Sequence, residues 1–199
     1  MLPQDLLLAL IAYAFVSSIT PGPNNLMLLA SGVNFGFRRT VPHMLGIGVG
    51  FTVMTALVGV GLAGLFALWP PLHDVLTVAS VAYLLWLAWK IAHSAPPSGE
   101  AQLDAKPFGF FQAAGFQWVN PKAWSMALTA CTLYAPEADW QSVALVALVF
   151  GAVNLPSVSS WAGMGVLLRG WLRDPARLRA FNWTMAGLLV ATLYPVMMA

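Results

Sequence analysis

Two polar interruptions could do chemistry in this chain. Asn120-Pro121-Lys122 lies within an apolar stretch, Phe110 to Tyr134, that carries no other charge. Pro21-Gly22-Pro23-Asn24-Asn25 interrupts the first apolar stretch. Proline lacks an amide hydrogen and breaks a helical ladder, and Gly22 permits a tight turn. Asn24 or Asn25 can cap a new helix running on to Ser31. The half-helix start then offers free amides and a positive dipole end, which suit an anion such as a carboxylate. A plain proline kink with a satisfied Asn24 is the simpler alternative. Lys122 can attract the same carboxylate if it lies at depth, because a buried lysine marks a pathway. If the span starts near Ala123, Lys122 snorkels to the surface instead. A re-entrant piece before the span is the third reading.

Weaker candidates accompany these. Asn154-Leu155-Pro156-Ser157 interrupts the fifth apolar stretch, where Asn154 can cross-link helices or line a cavity. His43 sits at the mouth of the second stretch, and an imidazole titrates near neutral pH. It is the candidate for proton coupling, or an ordinary interfacial residue. Gly46, Gly48, Gly50, Gly59 and Gly61 point to close helix packing. Asn182 and Trp183 read as interface anchors. Three scattered His and the single Cys131 form no metal-ligand motif, exclude an intramolecular disulfide, and imply no cofactor.

The elements that must position these residues are membrane helices. Of 199 residues, 59% are hydrophobic and 8% charged, against about a quarter charged in soluble domains. Mean hydropathy is +0.76. A net charge of +2 gives no reason to expect nucleic acid. The reading is an all-α polytopic membrane protein with six transmembrane helices. The spans are Leu6–Gly32, Met44–Trp69, Leu72–Ile91, Phe110–Tyr134, Ser142–Leu168 and Phe181–Met198, the last fraying or kinking at Pro195. The N-terminal run lacks a basic flank and reads as an uncleaved span.

Basic residues fall in alternate loops. Arg38-Arg39, Lys90 with Lys106, and Arg169, Arg173, Arg177 and Arg179 mark the first, third and fifth. Asp74, and then Glu137 with Asp139, mark the second and fourth. The positive-inside rule puts the basic loops in the cytoplasm and both termini outside. Residues 93–108 read as a cytoplasmic linker between a first three-helix half, 1–92, and a second, 109–199. An odd number of spans per half implies a 3+3 inverted repeat with broken helices one and four, an arrangement common in secondary transporters.

No span carries Asp or Glu in its interior, so a cationic substrate side chain would lack a partner, and no carboxylate proton relay is present. A small, neutral or zwitterionic solute is favoured. The chain has no GxxxxGK[ST] loop and no paired catalytic groups at depth. A membrane enzyme is therefore disfavoured. A permease served by another subunit, or a non-transporting scaffold, remains an alternative.

Thr20-Pro21-Gly22-Pro23-Asn24, followed by Gly32, Gly36, Arg38-Arg39 and Gly46, Gly48 and Gly50, resembles the first motif of the LysE/RhtB family of amino-acid exporters. Phe108 to Gly115 followed by Asn120-Pro121-Lys122-Ala123 is similar to its central motif. Trp161, Gly163, the Arg-rich loop, Phe181-Asn182 and Met185-Ala186-Gly187 are similar to its C-terminal part. The resemblance spans nearly the whole chain. It implies export of an amino acid or derivative from the bacterial cytoplasm, driven by the electrochemical gradient. The family exports basic amino acids and also homoserine, threonine and leucine; the uncharged spans favour the neutral group. The expected substrate contacts are Pro21, Gly22, Pro23, Asn24, Asn25, Asn120, Pro121, Lys122 and Asn154. The expected setting is the bacterial inner membrane. Expected partners are a small amino acid, protons and the lipid bilayer, with a homodimer formed through the glycine-rich faces.

The topology is checked by impermeant thiol labelling of single cysteines at positions 98 and 138 after replacement of Cys131. Ser98→Cys is expected to react only from the cytoplasm, and Ala138→Cys only from outside. The reverse pattern would overturn the orientation.

Overall fold

The structure, a computed structural model, describes residues 3–62, 64, 68–94 and 107–194. The polar linker around Pro96, Ser98, Glu100, Asp104 and Lys106, and Pro195 in the last span, lie outside the described residues. Helices α1 (Gln4–Ile19) and α2 (Pro23–Phe35) come first, then α3 (Phe37–Leu57) with a π-turn at Val58–Leu62, then α4 (Pro71–Ala92). The second part holds α5 (Phe110–Phe116), a 3₁₀ turn (Gln117–Val119), α6 (Pro121–Tyr134), α7 (Trp140–Leu168) and α8 (Pro175–Ala191).

Proline starts helices here more than it ends them. Pro23, Pro71, Pro121 and Pro175 all occupy a first helical turn, where the missing amide costs nothing. Asp139 caps α7 by accepting from the amides of Gln141 and Ser142, and Asp174 caps α8 through Ala176 and Arg177. Gly36 takes φ +81°, a conformation that favours glycine, and turns α2 directly into α3. The second span therefore begins at Phe37, earlier than the expected Met44, and Arg38 and Arg39 lie in its first turn.

Three long helices satisfy the length and apolarity of a membrane crossing: Phe37–Leu62, Asp74–Ala92 and Trp140–Leu168. Helices α1 and α2 together make a fourth, bent by 55° at the Pro21-Gly22 break. The chain is thus a helical membrane protein. The expected span Phe110–Tyr134 is broken into α5, the 3₁₀ turn and α6, and α8 starts ahead of the expected Phe181. Large apolar side chains such as Phe15, Phe111, Leu148 and Leu167 point outward, as suits a lipid-facing surface. Exposed Trp140 and Trp171 flank the two ends of α7, where indoles favour the interface.

Helix α7 is central, with α1, α2 and α3 against it; α5 lies on α3, and α4 on α8. The breaks divide the interior. Leu10 and Ala14 of α1, Met54 of α3, Ala127 of α6 and Phe150 of α7 form one cluster. Leu26 and Met27 of α2, Leu84 of α4, Phe116 of α5 and Leu189 of α8 form another. Leu28, Ile47, Ala113 and Ala162 form a third on the α2–α5 side of the breaks.

Close seams hold these helices, because lipid offers no hydrophobic drive for helix association. A Cβ on Gly32 would strike the Ala162 carbonyl of α7, and one on Gly165 the Leu29 carbonyl of α2. Gly46 meets the Phe110 carbonyl, Gly50 meets Ala114, Gly48 meets Leu155 and Gly59 meets Val143. These glycines pack within the chain, whereas an added Cβ on Gly61 would meet nothing. One expectation is corrected outright. Asn154 to Ser157 does not break the fifth span, since α7 runs through Pro156. Hydroxyls on the following turn add bonds to nearby carbonyls, Ser157 Oγ donating to Val153 O at 2.7 Å and Ser159 Oγ to Leu155 O at 2.6 Å.

Gly32→Val and Gly165→Val are each expected to destabilise the fold by about 1–3 kcal/mol through overpacking against backbone. Gly163→Ala, with nothing near its added methyl, should be neutral. Thermal unfolding of the solubilised protein, followed by size-exclusion chromatography, distinguishes them.

Candidate functional site

Past Val16, whose carbonyl keeps its ordinary helical partner, the end of α1 is a row of carbonyls that have lost theirs, and each finds a donor. Val16 O accepts from Thr20 N at 3.2 Å, and Ser17 O from Thr20 Oγ1 at 3.0 Å. Ser18 O and Thr20 O both accept from Asn25 Nδ2, at 2.8 and 2.7 Å. Ile19 O accepts from the Trp161 indole of α7 at 3.1 Å. Lys122 Nζ crosses from the second break to donate to Thr20 O at 2.7 Å, Thr20 Oγ1 at 2.9 Å and Pro21 O at 3.3 Å. A lysine ammonium at a helix C-terminus also meets the negative end of its dipole.

A second tie joins the breaks. Asn24 Nδ2 donates to Gln117 Oε1 at 2.9 Å, and Gln117 Nε2 donates back to Asn24 Oδ1 at 3.3 Å. Gln117 is fully buried on the 3₁₀ turn and also bonds Ala113 O. Asn120 caps α6, its Oδ1 accepting from Lys122 N at 3.2 Å. In α2 neither asparagine caps: the N-cap is Gly22, Pro23 follows, and no side chain covers the first-turn amides of Asn24 and Asn25.

These ties surround a narrow cavity. Gly22, Asn24 and Asn25 line it from the first break, Asn120 and Lys122 from the second, and Asn154 from α7. Phe51 and Met126 belong to the cluster on one side of the breaks, and Val158 to the cluster on the other. The cavity therefore lies at mid-depth in the helix assembly.

Two of its polar atoms are left open. Asn25 Oδ1 and Asn154 Oδ1 are buried and have no hydrogen-bond partner among the described residues. Both amides hang from Ser18: Asn25 Nδ2 on its carbonyl, and Asn154 Nδ2 on its hydroxyl at 3.1 Å. An unmet buried acceptor costs roughly 1–3 kcal/mol, and an ammonium brought in by a ligand relieves it. Lys122 supplies the opposite charge. Its stem lies over Gly22, where an added Cβ would stand 2.7 Å from Cδ and 3.1 Å from Nζ. The ammonium thus sits between the negative end of α1 and the uncapped positive end of α2. A carboxylate there meets both the cation and the α2 amides.

Of the expected contacts, Gly22, Asn24, Asn25, Asn120, Lys122 and Asn154 line this cavity, whereas Pro21, Pro23 and Pro121 form the breaks without lining it. Asn24 and Asn120 are engaged in a tie and a cap, which leaves Asn25 and Asn154 as the open acceptors. His43 is not part of the group; it lines a separate cavity. Gln117, Trp161 and Ser18 were not among the expected residues. Gln117 is one of two glutamines in the expected span and stands three residues before Asn120, and Trp161 had been singled out only as part of the C-terminal motif.

The Asn24–Gln117 tie predicts energetic coupling. In a double-mutant cycle of Asn24→Leu and Gln117→Leu, unfolding in lipid should show about 0.6 kcal/mol of interaction, and no more than ~1.7. Strict additivity would mean that the pair contributes nothing to joining the breaks.

Comparison with known proteins agrees with this architecture. The LysE type translocator family model matches residues 15–193. The cysteine/O-acetylserine efflux protein of Klebsiella pneumoniae subsp. pneumoniae is 32% identical over 187 residues, 93% of each chain. Its Salmonella paratyphi A counterpart is 32% identical over 189 residues, 93% of this chain and 94% of that one. The Escherichia coli counterpart is 33% identical over 187 residues, 93% and 94% of the two chains. No solved structure matches.

Proposed function

The chain belongs to the LysE type translocator family, amino-acid efflux transporters rather than enzymes, and on that premise we propose that it exports a small zwitterionic amino acid through the cavity between its two helix breaks. The observation that carries this is the pairing, in one cavity, of two unmet amide oxygens with a lysine that has no counter-charge among the described residues. The substrate ammonium binds Asn25 Oδ1 and Asn154 Oδ1. Its carboxylate lies between Lys122 Nζ and the α2 amides. The side chain faces Phe51, Met126 and Val158, which suits a short uncharged group and offers nothing to a second cation.

Cysteine and O-acetylserine, named for the relatives, fit these demands, and we take them as the first substrates to try. The alternating-access frame is a 3+3 inverted repeat of halves 1–92 and 109–199 in the inner membrane, with both termini outside. Partly reciprocal packing supports it: α1 lies on α7 as α5 lies on α3, α3 lies against α7 and α4 against α8, although α2 packs on α7 far more extensively than α6 on α3. Export is coupled to proton entry, with His43 as the group that exchanges the proton.

The test is uptake of labelled O-acetyl-L-serine, L-cysteine and a wider amino-acid panel into everted vesicles under an imposed proton gradient. Gradient-dependent uptake is expected, and Lys122→Ala should abolish it. Because Lys122 also holds the end of α1, Asn154→Leu provides a second variant, expected to raise KM about ten- to a hundredfold for loss of one charge-assisted bond. Uptake by folded Lys122→Ala at the wild-type rate would remove the carboxylate role. Uptake insensitive to the gradient would remove proton coupling.

A further inference from the structure

Asn34 and His43 present polar atoms that the proposed site does not use. His43 is 2% exposed, and neither ring nitrogen has a partner among the described residues. Asn34 Oδ1 is likewise buried and unmet. Both residues line a second, roomier cavity of about 100 Å³, which shares no lining residue with the first. Helix α2 borders both, through Asn24 and Asn25 in one and through Met27, Ala30, Ser31 and Asn34 in the other.

The second cavity is a built one. Asn34 Nδ2 is held by Ala30 O at 2.8 Å and by Asn182 Oδ1 at 3.4 Å. Asn182, which the sequence suggested as an interface anchor, is fully buried and donates to Ser94 O at 3.2 Å. The ends of α2 and α4 are thereby clamped to the middle of α8, and the Asn34 amide is fixed by the bonds of its nitrogen. The His43 ring rests against Phe108 at 5.2 Å between centroids. Lys90 lines the cavity too, its ammonium 4.7 Å from the centre of the Trp86 ring. Met27, Leu87 and Ile91 make the rest of the wall apolar.

A neutral imidazole offers one donor and one acceptor, Asn34 an acceptor, and Lys90 a cation. That set again complements a small zwitterion with an uncharged side chain. The ammonium fits Asn34 Oδ1 and the imidazole acceptor, and the carboxylate fits Lys90. A chain of packed rings, rather than an open channel, leads from this cavity toward the first. His43 meets Phe108, Phe108 meets Tyr83 at 6.4 Å, and Tyr83 meets Phe116 at 5.4 Å. Gln117, tied to Asn24, follows Phe116 directly.

We propose that this second cavity is an antechamber that holds the same zwitterionic amino acid on the basic-loop side before it passes along α2 to the site between the breaks. The proposal rests on the export reading above. Its test is equilibrium binding of radiolabelled O-acetyl-L-serine to the full chain in lipid nanodiscs. Wild type is expected to bind two molecules per chain. Leu87→Trp, which fills the antechamber, should leave one. Asn34→Leu, a milder change, should weaken one of the two sites at least tenfold, and Asn154→Leu should weaken the other. One molecule bound by wild type, insensitive to Leu87→Trp and Asn34→Leu but lost in Asn154→Leu, overturns the antechamber and keeps the central site. One molecule lost in Asn34→Leu yet kept in Asn154→Leu upholds the antechamber and overturns the central site. No binding to folded wild type overturns both.

Discussion

A membrane helix that stops halfway must find donors for its last carbonyls, since lipid supplies none. The end of α1 meets that demand with Asn25 from α2, Trp161 from α7 and Lys122 from α6. Much else follows from these bonds. Lys122 must reach the first break, so the second must lie beside it. Trp161 must reach Ile19, so α7 must pass through the same plane. The Asn24–Gln117 pair then closes the other side of the junction.

The glycine seams are the steric counterpart of these polar ties. Helix α2 leaves the break at 55° to α1 and can approach α7 only where Gly32 and Gly165 remove side chains. Gly46 and Gly50 do the same between α3 and α5. The apolar clusters on the two sides of the breaks contain different halves of the broken helices. Polar contact is therefore concentrated at mid-depth, while packing fills both flanks.

That division makes a transport site economical in charge. Several polar groups at the junction are occupied in holding the fold; the open atoms are the two amide oxygens, and the Lys122 ammonium, although bonded to three oxygens, keeps a charge that only a solute can balance. Such a site favours a solute that brings its own paired charges. A carboxylate from the protein would neutralise Lys122 internally and remove its claim on the solute. The absence of Asp and Glu from span interiors has this physical meaning.

The helical membrane class, the two breaks and the family were legible in the sequence, because apolar runs, prolines and an isolated lysine are local signals. Local reading went astray where context decides. Pro156 looked like a break, but α7 continues through it, held on both sides of the proline by α1, α2 and α3 packed against it. Arg38 and Arg39 looked like a loop, but Gly36 turns the chain within one residue. Lys122 could be read as buried or snorkelling, and its three oxygen partners lie 101 and 102 residues away in the chain. Sequence alone determined which residues disturb the helices. Only the tertiary structure decided that the two disturbances meet, which asparagine oxygens remain open, and that His43 lies elsewhere, because hydrogen-bond satisfaction depends on partners distant in sequence.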